Sequence, residues 1–241
     1  MKNKIYENLY KETKHNVFKF IEKKLKNKEK TFIITANPET YMLSEKDNEM
    51  YEMLNNKCNL VVPDGIAIVK TANLLGYNLK ERITGVEIAE FLLEQANKNK
   101  YKVYLFGASI EVIESLENKI KREYPNIKLV GASNGYIKDK DSVMEYIKTT
   151  NPDIVMLAMG IPLQEKLINN HIKDFKKGIF IGVGGSFDVL SGSKKRAPKI
   201  FIKLNLEWLY RITSEPKRLK RFWNSNIKFM FKIIKIKLFD K

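Results

Sequence analysis

Val103-Tyr-Leu-Phe-Gly-Ala-Ser109 is a short apolar run closed by a glycine turn, and the chain repeats that figure at Ile127–Val130/Gly131, Asp153–Met159/Gly160 and Ile179–Val183/Gly184. Apolar runs of this length that end in glycine read as buried strands. The intervals between them carry helical patterns, running to about Tyr124, over Asp141–Thr149 and over Leu163–Ile172. Strands that are apolar throughout, alternating with helices, predict a mostly parallel sheet with helices on both faces.

The same beat extends upstream. Thr31–Ala36 reads as a strand ending at Asn37-Pro38, followed by helical pattern through Leu54. Leu60-Val-Val62 reads as a second strand ending at Pro63-Asp64-Gly65, with helices over Ile66–Leu75 and Val86–Asn97. A helix over 15–26 places Val17, Phe18, Ile21 and Leu25 on one face. Beyond Ala197-Pro198 no strand pattern remains. The spacing therefore predicts an α/β domain over residues 1–195 and a basic helical appendage over 196–241, the former folding without the latter.

Charge is concentrated in that appendage. Lys194 to Lys241 holds 15 Lys/Arg against 3 acidic residues, in a chain whose net charge is +16. Lys228, Lys232 and Lys235 recur at helical spacing opposite Ile227, Phe231, Ile234 and Leu238. A segment both cationic and apolar suits an anionic membrane surface, on which such a helix lies. The lysines within it argue against a spanning helix. A pI near 9.6 also fits nucleic acid. Interleaving with Ile, Phe and Leu exceeds what phosphate tracking needs, so no nucleic-acid partner is expected. A non-catalytic membrane adaptor is the other alternative.

A single cysteine, Cys58, leaves no intrachain disulfide framework and suits a reducing compartment. His15 and His171 sit in no metal-ligand spacing. Neither a metal nor a cofactor is expected, and the first residues show no secretory h-region. Oligomeric state stays open, a homo-oligomer included.

In open parallel sheets, ligands bind beyond the C-terminal ends of the strands. There the sequence places Thr35 and Asn37, Asp64 and Gly65, Gly107, Ala108 and Ser109, Gly135 and Tyr136, Gly160 and Gln164, and Gly184, Gly185 and Asp188. Glycine lets a phosphate approach the backbone, and helix N-termini offer free N–H groups, so a nucleoside diphosphate is the natural guest. Each feature has a plainer reading as well. Gly107–Ser109 is equally a tight turn, and Asp64, taken alone, reads first as a helix cap. Arg82 is equally a surface charge, Gln164-Glu165 first-turn helix residues, and Asp188 either a ribose ligand or a cap. Asp139-Lys-Asp141 has a metal-binding DxD spacing but sits where a helix is capped, and is read as a cap.

In order along the chain stand Thr35-Ala-Asn37, Pro63-Asp-Gly65, Arg82-Ile-Thr-Gly85, Leu105-Phe-Gly107, Gly135-Tyr136, Met159-Gly-Ile-Pro-Leu-Gln-Glu165, Gly182-Val-Gly-Gly-Ser-Phe-Asp188, Arg196-Ala-Pro198, Glu207-Trp-Leu-Tyr-Arg211 and Glu215-Pro-Lys-Arg218. Over about residues 30–222 this set resembles the WecG/TagA/CpsF glycosyltransferase family, with Leu163 where the family commonly carries Lys. The resemblance implies a Rossmann-like fold and a metal-independent, inverting transfer from a UDP-sugar to a polyprenyl-diphosphate-linked sugar at the cytoplasmic membrane face. For the TagA branch the sugar is N-acetylmannosamine and the acceptor lipid-linked N-acetylglucosamine, in a β-1,4 linkage; UDP-ManNAcA and UDP-glucose are the alternative donors. It further implies Asp64 as base, Thr35 and Asn37 on sugar hydroxyls, Arg82 and the glycine turns on the diphosphate, and Gln164 orienting the donor. Arg211, Arg218 and Arg221 match basic positions of the family's appendage, where arginine's fork grips phosphate.

Overall fold

The structure, a computed structural model, describes residues 4–214 and 218–239, apart from the side chains of Lys4, Arg211, Arg218, Arg221, Leu238 and Phe239. The elements run α1 (Lys4–Asn8), α2 (Lys14–Lys26), β1 (Lys30–Ala36), α3 (Pro38–Ser44), α4 (Asn48–Asn55), β2 (Leu60–Pro63), α5 (Ile66–Leu74), α6 (Gly85–Asn99), β3 (Lys102–Gly107), α7 (Ile110–Glu123), β4 (Lys128–Ser133) and α8 (Lys140–Thr150). They continue with β5 (Ile154–Ala158), α9 (Leu163–His171), β6 (Gly178–Gly182), α10 (Ser186–Leu190), α11 (Lys199–Lys203), α12 (Glu207–Ser214), α13 (Arg218–Phe222) and α14 (Lys228–Phe239). Each of the six strands lies where the apolar pattern puts it, within a few residues.

All neighbouring strands pair in parallel, in the order β2-β1-β6-β5-β3-β4. Side chains alternate between the two faces, as the period-two pleat requires. Phe32, Ile34 and Ala36 of β1 join a core with α1, α3, α4, α5, α8, α9 and α14. Ile33 points to the opposite core, with α2, α6, α7 and α10. The expected parallel sheet covered on both faces is thus present. One local difference has a clear cause: β4 continues through Gly131, where the sequence suggests a loop. A β-carbon at Gly131 would stand 2.4 Å from Tyr104 Cε2, so this glycine serves close packing inside the strand. Likewise the helical pattern after Pro38 divides in two, because Asp47 accepts from the Glu49 and Met50 N–H groups and starts α4.

The helices that follow β1 and β6 part at the C-terminal ends of these two strands. Helix α3, after β1, packs on one face, while α10, after β6, packs on the other. Helices that diverge from adjacent parallel strands leave a crevice at the strand ends.

Among the described residues no strand follows β6, yet the chain does not leave the core. Phe229, Ile233 and Ile236 of α14 are buried in it, and Phe229 meets the Tyr41 ring edge-on at 5.1 Å. The buried stripe of α14 is therefore Phe229/Ile233/Ile236. Phe231 and Ile234, which the sequence pairs with the lysines' opposite face, are exposed beside Lys228 and Lys235. Lys232 turns inward to Glu45. Truncation after Lys195 removes three core side chains, so it is not the neutral cut that the strand pattern suggests. Phe229→Ala should cost about 3–5 kcal/mol, read by urea unfolding. A loss under about 1 kcal/mol would show that α14 is not part of the core.

Candidate active site

Three side chains, from β1, the end of β2 and the start of α10, converge on the first residue of α6 at the mouth of that crevice. A β-carbon at Gly85, the first residue of α6, would stand 3.4 Å from Thr35 Cγ2, 3.9 Å from Ser186 Oγ and 4.0 Å from Asp64 Oδ2. Asp64 leaves β2 with its N–H on the Ala36 carbonyl at 2.7 Å, and its Oδ2 accepts from the Gly85 N–H at 3.3 Å. It does not cap its own helix. Gly65 occupies the N-cap of α5, at φ +117° and without a side-chain cap bond. The strand end therefore holds a carboxylate at the rim, steadied from the start of α6.

Asn37 behaves differently from the expectation. Its Oδ1 accepts from the Glu39 and Thr40 N–H groups and caps α3, so only its amide end is left to face a ligand. Gln164 differs more. It is 2% exposed, and its Oε1 accepts from the N–H groups of Met159, Gly160 and Gly184 at 3.2, 3.1 and 3.1 Å. It is a knot beneath the rim, joining the turns after β5 and β6, rather than a group that touches the donor. The N–H groups of Gly160 and Gly184 are consumed by it, so those two glycines do not offer them to a phosphate.

The β3 turn also resolves toward its plainer reading. A β-carbon at Gly107 would stand 2.4 Å from the Ala158 carbonyl oxygen, and Ala108 donates to that oxygen at 2.7 Å. Ser109 caps α7, and the Glu111 carboxyl bonds its hydroxyl, which holds that carboxyl below its usual range. Gly135 donates to the Ala108 carbonyl at 2.9 Å, and Tyr136 stands out into solvent. These residues shape the far end of the rim, three strand steps and about 14 Å from β1 at ~4.8 Å per step. Asp188 caps nothing and pairs with Lys194 at 3.4 Å, while Gly185 starts α10. Asp139 caps α8, as read.

Arg82 is no surface charge. Its Nη2 donates to Glu207 Oε2 at 2.8 Å, with side chains 13% and 7% exposed. Among the described residues between 198 and 222, Glu207 is buried and the others are half-buried or exposed. The ion pair fastens α12 to the segment that leads into Gly85. The appendage is tied at two further points, Arg196 to both Glu90 oxygens at 2.9 and 3.0 Å and Lys232 to Glu45.

A family model, "Glycosyl transferase WecG/TagA/CpsF family", matches residues 7–241. The chain is 45% identical over 189 residues to a Bacillus subtilis protein named N-acetylglucosaminyldiphosphoundecaprenol N-acetyl-beta-D-mannosaminyltransferase, covering 78% of this chain and 73% of that one. A Bacillus spizizenii protein of the same name is 40% identical over 79% of this chain and 74% of its own. A Staphylococcus aureus protein, again of that name, is 40% identical over 86% and 80%. The chain belongs to the WecG/TagA/CpsF glycosyltransferase family.

Within this family framework the structure brings Thr35, Asp64 and Ser186 together at the start of α6, turns Arg82 to Glu207, and buries Gln164 beneath the turns after β5 and β6. The side chains of Arg211, Arg218 and Arg221 lie outside the described residues. Glu165, Glu207 and Ser186 escape sequence reasoning as site residues. Their one visible signal is position: Glu165 directly follows Gln164, Ser186 closes the glycine turn, and Glu207 opens the last helical segment with an acid in a basic tail. Glu207→Ala should free α12 and speed proteolysis within residues 199–214 by roughly tenfold or more, since the half-buried Arg82 guanidinium loses its partner. Digestion at the wild-type rate would contradict the anchor.

Proposed function

We propose that this glycosyltransferase moves N-acetylmannosamine from UDP to N-acetylglucosamine carried on undecaprenyl diphosphate, with inversion, as a step in teichoic acid or surface polysaccharide assembly. The observation that carries this reading is the Asp64 carboxylate at the crevice mouth, beside Thr35 and the first turn of α6, in a chain 45% identical to a transferase of that name. A UDP-sugar laid along the rim spans from the β3 turn toward Asp64. Asp64 takes the proton of the acceptor 4-hydroxyl as its oxygen attacks the anomeric carbon from the side opposite UDP. The bond to the diphosphate breaks, and UDP leaves with the electron pair.

The charge that develops on UDP needs donors already in place. Helices α5 and α9 begin at the rim without a side-chain cap, at Gly65 and Pro162. Their first N–H groups, with the positive ends of their dipoles, suit that charge. Arg82, three residues before Gly85 and held by Glu207, would add a guanidinium from the same segment, and the appendage arginines would add more. This account requires no metal. The cluster of Glu145, His171 and Asp174 lies at the C-terminal end of α9, away from the rim.

The acceptor is a lipid, and the outer side of the appendage suits a membrane. Ile200, Leu204, Leu219, Trp223, Phe231 and Ile234 are exposed there among lysines. No helix of the described residues is long and apolar enough to cross a membrane. We read this side as a peripheral contact with the cytoplasmic leaflet. The deciding experiment is a panel of UDP-sugars with a synthetic lipid-diphosphate–N-acetylglucosamine acceptor, the product linkage read by NMR. A β-1,4-linked N-acetylmannosamine product is expected; transfer only from UDP-glucose or UDP-ManNAcA would reassign the donor.

Asp64→Asn should lower kcat by roughly a thousandfold or more while leaving UDP affinity within about threefold, and wild-type turnover should survive EDTA. Turnover of the variant near wild type would remove Asp64 as base, and loss on chelation restored by manganese would overturn metal independence. Neutralising Lys228 and Lys235 should weaken binding to anionic vesicles by roughly fivefold per lysine in a salt-sensitive way, while sparing turnover on a short soluble acceptor. Unchanged vesicle binding would place the membrane contact elsewhere.

A further inference from the structure

Glu165 follows Gln164 in the first turn of α9 and is 1% exposed. Its Oε1 accepts from Gln164 Nε2 at 2.7 Å, while its Oε2 has no hydrogen-bond partner among the described residues. Burial raises the pKa of this carboxyl, and Glu39 in the first turn of α3 adds to the rise. Carboxyls are rarely left in this condition, because an unpartnered buried oxygen costs stability that an apolar side chain of similar size would not. Retention of an acid here calls for a role.

The role lies in what Gln164 must do. Three N–H groups converge on its carbonyl, so the amide has one workable orientation, with Nε2 turned away from them. In that orientation Nε2 needs an acceptor, and Glu165 supplies it. Gly182 completes the fit: a β-carbon there would lie 2.4 Å from Gln164 Nε2 and 2.7 Å from its Cδ. The amide thus lies flat on the β6 backbone, walled on one side and bonded on the other. Of the two turns it joins, the one after β6 borders the crevice between β1 and β6, and the one after β5 lies next to it.

We propose that Glu165 is a positioning residue of the transfer site, locking the Gln164 amide so that the turns after β5 and β6 keep the spacing the donor sugar requires. The functional part of this inference rests on the reading of the site as a sugar-transfer centre; the locking itself does not. Glu165 touches neither substrate nor the reacting atoms and acts only through Gln164.

The test compares Glu165→Met with Glu165→Gln in the full chain. Met keeps the volume and removes the acceptor; Gln keeps an acceptor oxygen without the acid. Amide hydrogen exchange by NMR reads the lock without any substrate. In Glu165→Met the Gly160 and Gly184 amides should exchange roughly tenfold faster, while Ile181 in the middle of β6, the control for global stability, stays at the wild-type rate. With UDP-sugar and soluble acceptor, kcat should fall roughly 10- to 100-fold with donor KM within about threefold, the signature of misplaced geometry. Glu165→Gln should restore both readouts to near wild type. Exchange at Gly160 and Gly184 that changes only in step with Ile181, or a Gln variant as impaired as Met, would overturn the proposal. A wild-type chain inactive on every donor would refute the transferase reading, and the exchange data would still decide whether Glu165 locks the turns.

Discussion

Two adjacent strands, β1 and β6, send their following helices to opposite faces of the sheet, and the crevice this opens governs the rest of the molecule. It sets where a ligand can lie and which loops can reach it. Parallel pairing brings every strand C-terminus to one rim, so Thr35 from β1, Asp64 after β2 and Ser186 after β6 meet although the sequence scatters them. Close approach is achieved by removing side chains at Gly85 and Gly182 and by spending the Gln164 amide on three backbone N–H groups. The rim is rigid beneath and open above, which is what a preorganised transfer site needs.

The appendage is built onto that rim. Its helices α11–α13 bury little of themselves, and their firm holds are ionic: Arg196 with Glu90 at the start and Arg82 with Glu207 in the middle. The return of α14 to the core through Phe229, Ile233 and Ile236 closes the strap at its far end. Half-buried ion pairs hold an element in register more than they stabilise it. A strap held in this way, with Ile200, Leu204 and Trp223 exposed, is tied through Glu207 to Arg82 on the segment that leads into Gly85.

The strands were legible because a buried parallel strand announces itself as an unbroken apolar run, and the glycine turns at their ends marked the rim. Asp64 was legible from its place directly after Val61-Val62-Pro63. Other features were hidden for physical reasons. The stripe 229/233/236 and the pair 231/234 both obey helical spacing, so only packing against Tyr41 reveals which faces inward. The Arg82–Glu207 pair joins residues 125 apart, and nothing local in either segment requires the other. Gln164 in sequence looks like any first-turn polar residue; its burial comes from packing on Gly182 and the turn after β6, which the sequence does not announce. Helix α1 is five residues long and too short to carry a periodic signal. The wider resemblance singled out Thr35, Asp64, Arg82 and Gln164, and the structure separates Asp64 at the end of β2 from Gln164, which is buried beneath the turns after β5 and β6.

The central claim is that the crevice between β1 and β6 holds the donor with its sugar end toward Asp64. A crystal structure of the chain with UDP tests this most directly. The account predicts the nucleoside toward the β3 turn near Gly107 and the terminal phosphate near Thr35, Asp64 and the Gly184–Ser186 turn. UDP bound instead in the groove of about 440 Å3 between β4 and α8, lined by Tyr104, Ser133 and Tyr146, with its phosphates away from Asp64, would contradict it.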